Sequence, residues 1–552
     1  MNPARGLVFG LLAILLAGVL VFGTAVAQDP FPGKPLATDR GEYFSASGAC
    51  VTCHQQMTDE SGADVSIGEA WRSTMMANAA RDPYWQASVR IETLVHPALS
   101  AVIEDKCATC HMPLAASTVH VDGEYAPVLD AGFLNPDHDL HGLAMDGNSC
   151  TLCHQITDVN FGTAESFSGG YAIDDTLPQG ERVLYSQFQS PPELVEQMRT
   201  ASGFAPEQGL HVEQAELCAT CHTLYTPYVD DNGEVAGVFP EQMPYLEWLQ
   251  GDFSPDTPCQ ICHMPHPNGE VVTSITGGEP RGPFAMHNFV GGNVYMQDVF
   301  LNFGDEMGLT AGTENFSATK DRLLDQLAHR TANVSIQPVI HEGDRMRADV
   351  LIEPLTGHKF PAGFPSRRAF VHFVVTDADD NTLFESGEFD ANGRILDDDH
   401  DTSADTDHVV FEPHYAVITA DDQVQIYETV MVDVNGDVTN VLLRGAGYAK
   451  NNRLLPIGFD KTTASLDIAV KGRAYYDVDF VGGSDCVMYT FEVEDAPGPY
   501  TITAELYYQP ISYNWAEKIR KYDSAESAAF LRYYDALPNT PVLIGSASVT
   551  VE

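Results

Sequence analysis

The sequence predicts a multidomain chain of two unlike parts. The first is mostly short helices and long loops; the second is an immunoglobulin-like β-sandwich. Three observations predict this. The 552 residues exceed what one hydrophobic core usually organises. Ten of the eleven cysteines fall between residues 50 and 262, in five copies of one pentapeptide. After about residue 310 no cysteine pair recurs, and segments of alternating polarity take over.

The N-terminus carries Arg5, an apolar run from Gly6 to about Gly23 and the small residues Ala25-Val26-Ala27. Residues 1–27 therefore read as a secretory signal. The run is about as long as a bilayer crossing, so an uncleaved membrane anchor is the alternative. Either reading exports the body of the chain, to the periplasm, the cell surface or beyond. With 78 acidic and 29 basic residues the formal charge is -49, which excludes counterion-releasing nucleic-acid binding and favours basic redox partners. Much of that acid simply solvates the surface.

The pentapeptide is Cys-x-x-Cys-His: Cys50, Cys53, His54; Cys107, Cys110, His111; Cys150, Cys153, His154; Cys218, Cys221, His222; Cys259, Cys262, His263. This is the attachment signature of c-type haem. Two thiols form thioethers to the vinyl groups, and the adjacent histidine is held beneath the iron as proximal ligand. Zinc sites and thioredoxin-like pairs also use Cys-x-x-Cys, but neither requires a histidine after every pair. Five covalently bound c-type haems are expected, on a domain spanning 28–310. So little chain per haem leaves the macrocycles to supply much of the buried apolar surface.

A haem that only exchanges electrons needs a sixth ligand. Nineteen histidines make the supply ample. His211 and His141 each lie shortly before a motif, and His287 follows the last one ahead of a Gly-Gly turn; these are the preferred candidates, with His96, His120 and His138 behind them. The segment around "GEAWRSTMMANAARDPYW" reads as one helix with Trp71, Met75 and Ala79 on a face. Met75 or Met76 there is either core filler or a thioether ligand that raises a haem's potential.

The motif arrangement, the "CHMP" at 110–113 and 262–265 and the Trp71-x-Ser73-x-Met75 pattern resemble multihaem c-type cytochromes related to the tetrahaem cytochrome of nitrification. Met75 stands where that group commonly has a distal histidine. The stretches "GHKFPAGFPSRR", "FEPHYAVIT", "VQIYETVM" and "YAKNNRLLPIGFDK" are similar to exported multihaem cytochromes with an appended β-domain. The resemblance implies that His358 serves as a distal haem ligand. Gly357 and Pro361 would then make a tight exposed loop carrying His358 out of the sandwich. Arg367 and Arg368 would face haem propionates or form a strand-end salt bridge.

In the second part, 311–552, "DRLLDQLAHRTA" reads as a helix, and "RADVLIE", "FVHFVVTD", "VQIYETVMVD" and "YTITAELYY" read as strands of the sandwich. A late helix is expected over 513–534, with Trp515, Ile519, Tyr522 and Phe530 facing inward. The acid-rich stretch Asp377 to Asp407 lacks EF-hand spacing, so a solvated loop is preferred over a calcium site. Cys486 reads as a small buried hydrophobe.

The leading functional expectation is a multihaem c-type cytochrome passing electrons between redox partners outside the cytoplasm, with no catalytic residues. The alternative is a multihaem oxidoreductase acting on a small nitrogen or sulfur compound at one five-coordinate haem, the first being the candidate if Met75 does not bind. A third is an oligomer or filament with the β-domain as docking module.

Overall fold

The structure is a computed structural model. It describes residues 30–178, 180–396, 398–402, 410–493 and 496–552. The expected signal or anchor, residues 1–27, lies outside the described residues. Among those described, no helix is long and apolar enough to cross a membrane.

The first half is built of short helices and long connections. Its longest helix before residue 300, Pro83–Val95, starts where the Asp82 carboxylate accepts from the Tyr84 and Trp85 amides, with Pro83 in the first turn. That cap divides the segment expected to be one helix. Only Ile67–Trp71 is helical upstream, followed by turns and a short 3₁₀ segment, Ala79–Arg81. Asn78 breaks the run by donating to the carbonyls of Arg72 and Thr74. Trp71, Met75 and Ala79 therefore do not share a helical face.

The helix Thr313–Arg330 leads into the second half. Two five-stranded sheets follow. One orders Val417–Ile418, Asp485–Glu492, Arg345–Pro354 and Ala332–Ile336, with Ile340–Glu342 also on Arg345–Pro354. The other orders Ile426–Tyr427, Arg368–Thr376, Tyr500–Gln509 and Val542–Val551, with Thr382–Ser386 also on Arg368–Thr376. Strict alternation along Arg345–Pro354 and Asp485–Glu492 buries Ala348, Val350, Val487 and Tyr489 on one face. These meet Val371, Phe373, Ile502 and Ala504 of the second sheet in one core. The Phe373 and Tyr489 rings stack across it with centroids 3.9 Å apart.

The late helix is two helices, Tyr513–Ile519 and Ala525–Ala536. The Ser524 hydroxyl caps the second by accepting from the Ser527 amide, and that cap forces the break. Trp515, Ile519 and Phe530 face inward as expected, but toward the first half: they share a buried cluster with Tyr84, Tyr295 and Phe300. The two halves are also pinned by charge. The buried Glu92 carboxylate accepts from the amides of Leu442 and Leu443, and Arg453 meets the fully buried Glu247 at 2.5 Å.

Cys486 is half-buried on Asp485–Glu492, and burial pushes its thiol up to about 11. The acid-rich stretch is not wholly solvated. Asp398 and Asp401 are buried and hold the equally buried Arg368 at 3.1 and 2.6 Å. Arg368 is thus committed to a salt bridge inside the second half and does not face outward toward a propionate. Arg367 donates to the Ala362 carbonyl at 2.5 Å.

Candidate haem-binding site

Each pentapeptide takes up a short helical turn, with residues in Gly48–Val51, Ser100–His111, Cys150–Cys153, Ala215–His222 and Cys259–His263. In such a turn the two cysteines, three apart, and the histidine one residue on fall on one side. None of the ten motif cysteines is in a disulfide. Cysteines of different motifs lie side by side: Cys50 with Cys150, Cys110 with Cys221, and Cys218 with Cys259. Motifs one and three, two and four, and four and five are therefore neighbours. Burial pushes the Cys153 thiol up to about 11 and Cys107 further in the same direction.

Gly147, just before the third motif, has φ +62 and lies so close to the Met76 and Ala77 carbonyls that a Cβ would come within 2.7 Å of both. A side chain there would push the third motif away from the segment that carries Met75.

Four motif histidines are oriented alike. The Nδ1 of His54 bonds the Thr273 carbonyl at 2.7 Å, His111 bonds Ala79 at 3.2 Å, His154 bonds Tyr185 at 2.6 Å and His263 bonds Val290 at 2.5 Å. With Nδ1 donating to a carbonyl, the Nε2 lone pair is left for a metal. Burial holds His111 and His222 down to about 4 and His287 down to about 3. All three are uncharged near neutrality, which is the form that ligates.

Two pairs of rings face one another. His154 and His287 have centroids 6.2 Å apart and planes within 20°; His263 and His358 have centroids 6.2 Å apart and planes within 10°. An imidazole nitrogen sits about 2.0–2.1 Å from a bound metal and about 1.1 Å from its ring centre, so two imidazoles on opposite sides of one ion have centroids about 6.2 Å apart. Both pairs have that spacing. The residues present therefore fit a covalently held haem with axial imidazoles.

The fold is similar to that of a solved penta-heme cytochrome. The chain matches the crystal structure of a penta-heme cytochrome c552 from Thermochromatium tepidum with TM-score 0.50 and 16% identity, over 91% of this chain and 98% of that one. No family model matches the chain, and no curated protein does.

The other sequence-level candidates are placed differently. His211 is buried edge-on to Tyr185, and its Nε2 is bonded to the Ile156 carbonyl at 2.9 Å, which leaves Nδ1 as its free nitrogen. His141 gives Nδ1 to the Phe133 carbonyl at 2.8 Å and keeps Nε2. Met75 packs against the cluster of Tyr84, Phe300 and Trp515. His120 is paired with Asp105 at 2.7 Å, and the His138 Nδ1 accepts from the Leu140 amide. His96 has a buried Nε2 with no hydrogen-bond partner.

The loop that carries His358 is not exposed as expected. Lys359, Phe360 and Pro361 are buried, and the Lys359 amide donates to Glu247 in the first half at 3.2 Å. The loop is wedged between the halves, which is how a histidine of the second reaches a motif of the first. One contact had no sequence signal at all: the Trp85 indole lies flat on the His111 imidazole, centroids 4.5 Å apart and planes within 7°.

Proposed function

We propose that this chain is a multihaem c-type cytochrome that carries electrons between redox partners outside the cytoplasm. Its ten motif cysteines would hold five haems; His54, His111, His154, His222 and His263 would be the proximal ligands. His287 would complete the third site and His358 the fifth. The 6.2 Å spacing of the two imidazole pairs carries the reading, because a haem held at either pair would have imidazole rather than substrate at both of its ligand positions. A bound haem supplies a one-electron couple whose potential follows its axial ligands and surroundings. This chain's residues hold the rings neutral, aim Nε2 through carbonyl bonds to Nδ1, and keep neighbouring motifs in contact. Export is supported by the N-terminal segment and by the motif itself.

A second reading, an oxidoreductase for a small nitrogen or sulfur compound, draws on one observation. Among the described residues no imidazole faces His54, His111 or His222 at the spacing of the two pairs. One experiment separates the two. The purified holoprotein, assayed for haem by the pyridine haemochrome method and examined by electron paramagnetic resonance with and without carbon monoxide and nitrite, is expected to show five low-spin haems that bind neither. A high-spin haem that binds either ligand would favour the second reading, and fewer than five haems would overturn the count.

A further inference from the structure

Each of the proposed haems brings propionate carboxylates into the protein, and between residues 50 and 263 only six basic side chains stand to meet them. Three are spent on carboxylates of the chain: Arg72 on Glu69, Arg90 on Asp130 and Glu526, and Arg199 on Glu196. Arg182 gives both Nη groups to the carbonyls of Asp174 and Asp175 and lies over the Tyr43 ring. Lys106 gives Nζ to the Ser168 carbonyl at 2.7 Å. Arg81 is the sixth.

It stands where the first three motifs meet. Arg81 ends the 3₁₀ segment Ala79–Arg81, whose Ala79 carbonyl bonds the Nδ1 of His111 at 3.2 Å. Its Nη1 donates to the Met145 carbonyl. The next residue, Asp146, ties the approach to the third motif to the approach to the first: its Oδ2 accepts from the Ser47 amide at 2.8 Å and its Oδ1 from the Ser47 hydroxyl at 2.7 Å. Cys50 and Cys150 lie side by side a few residues beyond.

The protein leaves this charge unanswered. Ala79, Ala80 and Asp82 beside it are buried, and burial holds the guanidinium below its usual range against the pull of Asp146. That pull is not an ion pair: Arg81 has none among the described residues. Asp146 is spent on Ser47, and Asp82 on the amides of Tyr84 and Trp85. Of the five N–H donors in the guanidinium fork, the Met145 carbonyl takes one. A cation this deep is costly without a counter-charge, and its fork matches a carboxylate. We infer that Arg81 anchors a propionate carboxylate of a haem held by one of the first three motifs, and that its charge raises that haem's potential. The inference rests on the proposed haem attachment. A fixed positive charge beside the ring favours the reduced, more negative state, so Arg81 acts as a positioning residue and takes no part in ligation.

The test compares wild-type holoprotein with Arg81→Gln and Arg81→Lys, each assayed for haem by the pyridine haemochrome method, titrated spectroelectrochemically and examined by resonance Raman in the propionate bending region. Arg81→Gln is expected to keep five haems and to move one of them about tenfold toward the oxidised form at fixed potential, about 59 mV for a one-electron couple, with one propionate band displaced. Arg81→Lys keeps the charge but not the fork; it is expected to hold the potential near wild type while that band still moves. Wild-type potentials or unmoved bands in Arg81→Gln would overturn the inference. So would a fall in Arg81→Lys as large as in Arg81→Gln, because packing rather than charge would then be at work. Should Arg81→Gln not accumulate with haem, the band in Arg81→Lys decides: displaced, it supports the anchor; unmoved, it overturns it. Wild type without covalent haem would instead overturn the proposed function, which keeps the two failures apart.

Discussion

The imidazoles of His263 and His358 lie 6.2 Å apart and within 10° of parallel, although one belongs to the last Cys-x-x-Cys-His motif and the other to the second half of the chain. Their approach depends on a wedge of buried polar contacts, Glu247 with Arg453 and with the Lys359 amide. Iron ligation and the union of the halves are therefore one structural event under the proposed function.

His358→Ala is expected to change the spectrum and potential of one haem and leave the rest, and His358→Met to raise that haem's potential. Spectroelectrochemical titration resolves this. Unchanged titration of every haem in both variants would remove His358 from the ligand set.

Arg453→Met leaves Glu247 buried without its cation and is expected to cost about 3–5 kcal/mol. Adding Glu247→Gln should recover a substantial part, because the uncompensated charge is then gone. Urea denaturation of the single and double variants measures both numbers.

Glu92 gives a pH dependence. Burial is the largest influence on it and pushes its carboxyl up to about 7, against the pull of the Leu442 and Leu443 amides. An unfolded glutamate titrates near 4.3, so between about pH 4 and 7 the folded chain retains a proton that the unfolded chain releases. Stability contributed by this group is therefore highest at the acid end, falls as pH rises through that window and levels off above about 7. Glu92→Gln should flatten that part of the profile in denaturation midpoints measured at pH 5, 6 and 7.5.

Trp85→Ala removes the ring stacked on His111 and is expected to cost about 3–5 kcal/mol. If the indole also fixes the imidazole plane, the resonance signature of one haem shifts while the haem count stays at five. Trp85→Phe should preserve most of the stability. A signature unchanged in Trp85→Ala would confine the indole to packing.

Much of the chemistry was legible because it is local. Cys-x-x-Cys-His places its three groups on one helical turn whatever surrounds it, and the period-two pattern of segments such as Arg345–Pro354 announces a strand with one buried face. Capping was legible only in hindsight. The Asp82 and Ser524 side chains divide two segments whose apolar spacing alone suggested single helices, because a cap competes with periodicity over just a few residues.

The sequence by itself determined where the five Cys-x-x-Cys-His motifs lie, that histidine is plentiful around them, and that the second half is rich in sheet. Only the tertiary structure decided which histidines face each other. The His287 and His358 rings lie 6.2 Å from those of His154 and His263, while the His211 Nε2 bonds the Ile156 carbonyl and His120 is paired with Asp105. Pairing across long separations depends on how loops are wedged between elements, and nothing in the spacing of a lone histidine records that. The same holds for Arg368, which by sequence could face a haem propionate or form a salt bridge, and which the fold buries between Asp398 and Asp401 because a paired charge tolerates a dry interior that an isolated one does not.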